Sequence, residues 1–269
     1  MRSPIGFLLA TVILSVALSQ SFRLHPLKEG FNAKKKHDMR VYVLFHDDKS
    51  KQIASSFDKY DWSVPYQLGK SIYMESAFLP YLASVQEDWE KKDYVGMITY
   101  NIMRKQVIDQ DIDMREIVNA SDGADFIAFY GLSVPNMVDY AEDKHPGFKN
   151  IWVKLLTKMG FSKEDIDAPI SFFQCNCWMA KPEWMVMYLD FARRAMTILD
   201  EDQEIKALCY RDASYTSNLS EDQLMKIYGA PWYTFHPFIM ERLPCFFVKQ
   251  FDAKLYAKNI GPYAAEFIR

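Results

Sequence analysis

Glycine, cysteine and net charge are all scarce in this chain, and each scarcity closes off a class of protein. Ten glycines in 269 residues exclude a collagen-like or Gly-rich fibrous chain, and the absence of any internal repeat or low-complexity tract excludes a solenoid. A formal net charge of −3 supplies no basic field, so nucleic acid is not an expected partner. No P-loop, Gly-rich dinucleotide loop, nucleophile elbow or zinc-protease helix occurs, and the enzyme classes that carry those motifs drop out with them. The four cysteines are Cys175, Cys177, Cys209 and Cys245. They lack the second closely spaced pair that a zinc knuckle needs, and they are expected as buried thiols or long-range disulfides.

What is abundant is apolar and aromatic. Hydrophobic residues make up 49% of the sequence and aromatics 15%, enough for a densely packed core. The first apolar run, Ile5 to Leu18, follows a lone Arg2 and closes on the small residues Ala17 and Ser19, the three-part layout of a secretory leader. A full membrane span wants about 20 apolar residues, so residues 1–21 are expected to be a signal peptide or a short signal-anchor, with a membrane tether through residues 5–18 in the second case. Either places the chain in the secretory pathway, in the Golgi lumen as a type II membrane protein or secreted. Sequons at Asn119 and Asn218 suit a glycoprotein of that pathway. Residues 22–38 read as a polar connector and 39–269 as one α/β domain.

Within that domain, Met39 to Phe45 is a β-branched and aromatic run that stops at His46-Asp47-Asp48, the signature of a strand buried on both faces. Glu75 to Lys91 carries apolar residues at helical spacing, with Pro80 in its first turn. Asp93 to Tyr100 and Asp125 to Tyr130 read as further buried strands, separated by a helix from Asp113 to Ala120. Alternation of this kind predicts an α/β fold with a mostly parallel central sheet covered by helices. Farther on, Asn136 to Lys158 is helical on either side of His145-Pro146-Gly147, Phe172 to Met179 reads as a short strand, and Pro182 to Leu199 as a long helix. The apolar block from Tyr233 to Val248 has no assigned element.

Polar groups beyond the C-terminal ends of parallel strands lie where such sheets bind ligands. His46, Asp47 and Asp48 after the first strand hold such a position, with an Asp-rich turn as the bland alternative. Paired carboxylates suit a hard divalent cation bridging a diphosphate, so Asp47 and Asp48 are candidate ligands for Mn²⁺ or Mg²⁺. Tyr100, Arg104 and Lys105 follow the second assigned strand, where cationic groups could meet a diphosphate. His236, Glu241 and Arg242 are polar groups embedded in an apolar block, where a structural ion pair explains them as readily as catalysis does.

Several blocks together resemble the capsular-polysaccharide glycosyltransferase-like family. Met74-Glu75-Ser76 with Trp89-Glu90-Lys91 and then Asp93 to Tyr100 is similar to its "E-L-T … W-K … D-Y-I-G-L-x-H-Y-R-R" stretch, and Asp125-Phe126-Ile127-Ala128 is similar to its "D-I-I-L". Cys175-Asn176 through Lys181 to Phe191 resembles "N-M-F-I-M-K-K-E-x-F … Y … W-L-F", and Ile239 to Leu243 resembles "S-E-R-L". Thr99 stands in the place of that family's histidine, and its paired arginines are displaced to Arg104 and Lys105. The resemblance implies a GT-A type fold and transfer of a sugar from a nucleotide-sugar donor to a glycan or glycoprotein acceptor. It points to Glu75, Tyr100, Asn176, Lys181, Glu241 and Arg242. On that reading Glu241 and Asp48 are the catalytic candidates, while Asp47, Tyr100, Arg104, Lys105, Asn176, His236 and Arg242 hold the donor. The alternative is a catalytically inactive secreted glycan-binding or cell-surface structural protein.

Overall fold

The computed structural model describes residues 37–102, 114–132, 134–173, 175–215 and 219–257. In chain order, β1 (Met39–Phe45), α1 (Asp48–Ala54), β2 (Ser63–Gln67), α2 (Leu79–Ser84) and β3 (Tyr94–Thr99) come first. They are followed by α3 (Met114–Ala120), β4 (Phe126–Ala128), β5 (Gly131–Leu132), α4 (Met137–Lys144), α5 (Phe148–Lys158) and α6 (Lys163–Asp167). The last third comprises β6 (Phe172–Phe173), β7 (Trp178–Ala180), α7 (Pro182–Glu201), α8 (Gln203–Cys209), α9 (Glu221–Ile227), α10 (His236–Gln250) and β8 (Leu255–Ala257).

Six strands form one sheet in the order β2-β1-β3-β7-β4-β8. The β1–β2, β1–β3 and β4–β8 pairs are parallel, whereas β7 runs antiparallel between β3 and β4. The sheet is therefore mostly parallel with one opposed strand, and it belongs to the expected α/β class.

Both faces of the sheet are apolar because successive side chains alternate across it. Tyr42, Leu44, Val95, Met97, Phe126, Ala128, Trp178 and Ala180 point into the larger core, shared with α5, α7 and α10. Val41, Val43, Phe45, Ile98, Ile127, Phe129 and Met179 point into a second core under α1 and α3. All described residues lie in one compact unit. None of the described helices is long and apolar enough to cross a membrane, and residues 5–18 lie outside the described part of the chain.

Two elements depart from expectation. The helix expected over Glu75 to Lys91 is a 3₁₀ turn (Met74–Phe78), then α2, then a second 3₁₀ turn (Gln86–Asp88). Pro80 sits in the first turn of α2, but Val85 leaves the helical region at φ −111° and ends it. The run Phe172 to Met179 is two short strands in different sheets, separated by a turn at Cys175-Asn176. The cysteines are four free thiols. Burial pushes both the Cys209 and the Cys245 thiol up to about 12, which makes them unreactive.

Candidate functional site

The C-terminal ends of the parallel strands set one edge of the sheet, where β1 delivers His46 and β3 delivers Thr99 and Tyr100. Because β7 runs the other way, the turn that precedes it arrives at this same edge. Cys177 ties it there: its Sγ lies 3.5 Å from the Thr99 amide nitrogen, and its carbonyl accepts from the Phe129 N–H at 3.0 Å.

A cleft of about 510 Å³ opens beside that turn. One wall is Met74 and Glu75, and another is the turn itself at Cys175 and Asn176. A third is the first half of α10, where Phe238, Glu241 and Arg242 share a face at three- and four-residue spacing. Tyr140, Lys144 and His145 at the end of α4 line it as well, together with Ser214, Tyr215 and Tyr233.

Glu241 joins two of these walls. Its Oε1 accepts from the Cys175 N–H at 2.6 Å, and its Oε2 accepts from Nη1 of Arg242 at 3.1 Å. The same Nη1 donates to the Phe238 carbonyl at 2.9 Å. The guanidinium is buried between the rings of Phe148 and Phe172, 5.4 and 5.0 Å from their centroids. A charge this deep must be paired, and Glu241 is the pair. Two buried polar atoms here, Asn176 Oδ1 and Arg242 Nε, have no hydrogen-bond partner among the described residues.

The backbone is strained around the same space. Six described non-glycine residues have positive φ, and four of them line the cleft: Met74 (50°), Cys175 (73°), Asn176 (48°) and Ser214 (55°). Such conformations cost about 1–3 kcal/mol each and persist where surrounding contacts over-determine them, commonly at functional sites. Glu241, by bonding the Cys175 amide, is one such contact.

Of the residues singled out from the sequence, Glu75, Asn176, Glu241 and Arg242 come together in this cleft. Glu75 makes no hydrogen bond or ion pair among the described residues and is half-buried. Tyr100 lies at the same sheet edge but outside the cleft lining, with its ring edge-on to His46 at 6.4 Å. Lys181 is at the opposite edge, paired with Asp125 at 2.8 Å. His236 sits in the core, its Nδ1 2.9 Å from Thr234 Oγ1 and its ring edge-on to Tyr73 and Tyr210. Arg104 and Lys105 lie outside the described residues.

Asp47 caps α1 instead of lining the cleft. Its Oδ1 accepts from the Ser50 N–H at 2.7 Å and the Ser50 hydroxyl at 2.6 Å, bonds that hold its carboxyl below the usual range. Asp48 is exposed in the first turn of the helix. Asp47 Oδ1 is thus engaged as a helix cap, and no cluster of three or more His, Cys, Asp or Glu able to hold a metal occurs among the described residues. Asp47→Ala is therefore expected to lower stability by about 1 kcal/mol, the usual worth of an N-cap. Urea unfolding measures that loss; a stability equal to that of the parent would remove the capping role.

Sequence reasoning missed His145 and the aromatic walls at Tyr140, Tyr215 and Phe238. The local signal was the His-Pro-Gly break, which marks the end of one helix and leaves an imidazole at the junction.

No family model matches the sequence, and no curated protein is significantly similar to it. A similar solved structure is that of the bifunctional glycosyltransferase WbbM in its apo state, at 16% sequence identity and a TM-score of 0.47, covering 82% of this chain and 44% of that one. The chain thus spans less than half the length of that protein.

Proposed function

We propose that this chain is a glycosyltransferase-like protein of the secretory pathway, binding a sugar in the cleft and transferring it from a nucleotide-sugar to a glycan or glycoprotein acceptor. One observation carries the reading: Glu75, Asn176, Glu241 and Arg242 are far apart in sequence, yet they meet in a single cleft at the ligand-binding edge of an α/β sheet. They are also four of the six positions at which the sequence resembles capsular-polysaccharide glycosyltransferase-like proteins. The lining suits a sugar chemically, because carboxylate and amide groups bond hydroxyls while Tyr140 and Tyr215 supply aromatic surface for the apolar side of a pyranose.

Within this scheme the donor diphosphate lies toward the ends of β1 and β3, near Tyr100, and the sugar lies over the Cys175–Asn176 turn. Glu241 and Arg242 hold that turn against α10, and Glu75 is free to bond sugar hydroxyls. The test is a panel of nucleotide-sugars offered to the purified chain with simple glycan acceptors, reading released nucleoside diphosphate and product. The matching donor at about 100 times its Kd should stabilise the fold by about 2.7 kcal/mol. An inactive chain whose melting temperature no donor raises, but a glycan does raise, would replace transfer with glycan binding alone.

A further inference from the structure

His145 is placed unlike any other described histidine. It ends α4, and its ring stacks on Phe238 at 3.8 Å between centroids. Its Nδ1 lies 3.0 Å from the Ala213 carbonyl oxygen. A carbonyl can only accept, so Nδ1 carries the hydrogen and the lone pair is on Nε2. The carbonyl is itself fixed, since the Ala213 N–H donates to the Tyr233 carbonyl at 2.8 Å and the next residue, Ser214, is held left-handed at φ 55°. His145, though buried, lines the cleft, whereas His236 sits in the core away from it.

Given the transfer reading above, on which this step rests, we infer that His145 is the catalytic base, with Nε2 taking the proton of the acceptor hydroxyl. As that O–H bond breaks, the oxygen forms its bond to the anomeric carbon of the donor sugar. The bond from that carbon to the diphosphate oxygen breaks, and the nucleoside diphosphate leaves with the electron pair. The imidazolium then returns its proton to water. Direct displacement of this kind inverts the anomeric configuration.

Two comparisons favour His145 over the carboxylates of the cleft. Glu241 already accepts from the Cys175 N–H and from Arg242, so both its oxygens are engaged. Glu75 has no described partner to fix its direction, whereas His145 is held by a hydrogen bond and a stacked ring, and a base acts through its position first. Charge and burial agree with this. Burial lowers the imidazole's proton affinity and outweighs the opposing Ala213 bond, while the smaller effects of Arg242 and Glu241 act in opposite directions. The ring is accordingly neutral at pH 7.

The experiment combines nitrogen-15 NMR of the histidine side chains in the full chain with kinetics of His145→Asn. The asparagine amide can keep the bond to Ala213 while removing the lone pair. The spectra should place the His145 hydrogen on Nδ1, a result independent of activity. The variant should lose about 100- to 1,000-fold in kcat with unchanged nucleotide binding, and the parent should invert the anomeric centre. A hydrogen on Nε2, a retained configuration, or a variant within threefold of the parent would overturn the assignment while leaving sugar transfer standing. A parent that transfers no sugar from any donor overturns the transfer reading, and the role of His145 as its base falls with it.

Discussion

Replacing Gly96 with alanine should destabilise the fold by about 3–5 kcal/mol, among the largest effects a single methyl group can have. Gly96 lies in β3 between the parallel partner β1 and the opposed partner β7. A Cβ there would lie 2.3 Å from the Trp178 carbonyl oxygen and 2.5 Å from the Met179 Cα. Both are backbone atoms, so no side chain can rotate away, and β3 and β7 would have to separate. A glycine inside a strand marks this kind of close backbone approach. The separation would reach the functional edge, because the β3–β7 junction continues into the Thr99–Cys177 contact that seats the Cys175–Asn176 turn. Against a typical total of 5–15 kcal/mol, the variant should unfold at much lower urea than the parent. A midpoint shift worth less than 1 kcal/mol would mean that the two strands part without cost.

How much of this could be read beforehand differed by element, for physical reasons. β1, β3 and β4 are buried on both faces, so their apolar runs are continuous and they stand out. β2 is an edge strand, half-buried and interrupted by Pro65, so it has neither an apolar run nor clean alternation. Pro65 is tolerated there because an edge strand can do without one ladder donor. α10 is missed for the opposite reason. Twelve of its fifteen residues are buried, and a helix apolar all round has no 3.6-residue stripe to detect. Pro237 and Pro244 further disguise it.

The site was legible only in part. Nothing in periodicity links Glu75 to Asn176 or Glu241; the resemblance singled them out, and the sheet edge explains why they meet. The turn at Cys175-Asn176 is hidden in an apolar run, and its only local sign is that Asn tolerates a left-handed conformation. Asp47 shows a different limit. An aspartate between a strand and a helix is the expected residue both for a metal site and for an N-cap, and only the Ser50 bonds distinguish the two.

His236 should make the fold acid-sensitive well above the range in which carboxylates titrate. Burial holds its imidazole down at about 4, from an ordinary 6.5, and its Nε2 has no partner among the described residues that could stabilise a proton. The sign follows from which state binds the proton. Between pH 6.5 and 4 the unfolded chain takes up a proton at this residue and the folded chain does not, so stability is full above 6.5 and falls as the pH drops. At about 1.4 kcal/mol per pH unit, the loss by pH 4 is about 3 kcal/mol. His145, also lowered by burial, adds a loss of the same sign. Asp47, Asp125 and Asp202, whose carboxyls are held low by their partners, lose their contributions at lower pH. His236→Phe isolates the effect, because it keeps an aromatic ring between Tyr73 and Tyr210 while Thr234 Oγ1 retains its contact with the Tyr228 hydroxyl at 2.5 Å. Urea midpoints across pH 4 to 7.5 should converge at acid pH, the variant losing about 3 kcal/mol less than the parent. Parallel curves for the two would mean that His236 takes up its proton in the folded state as easily as in the unfolded one.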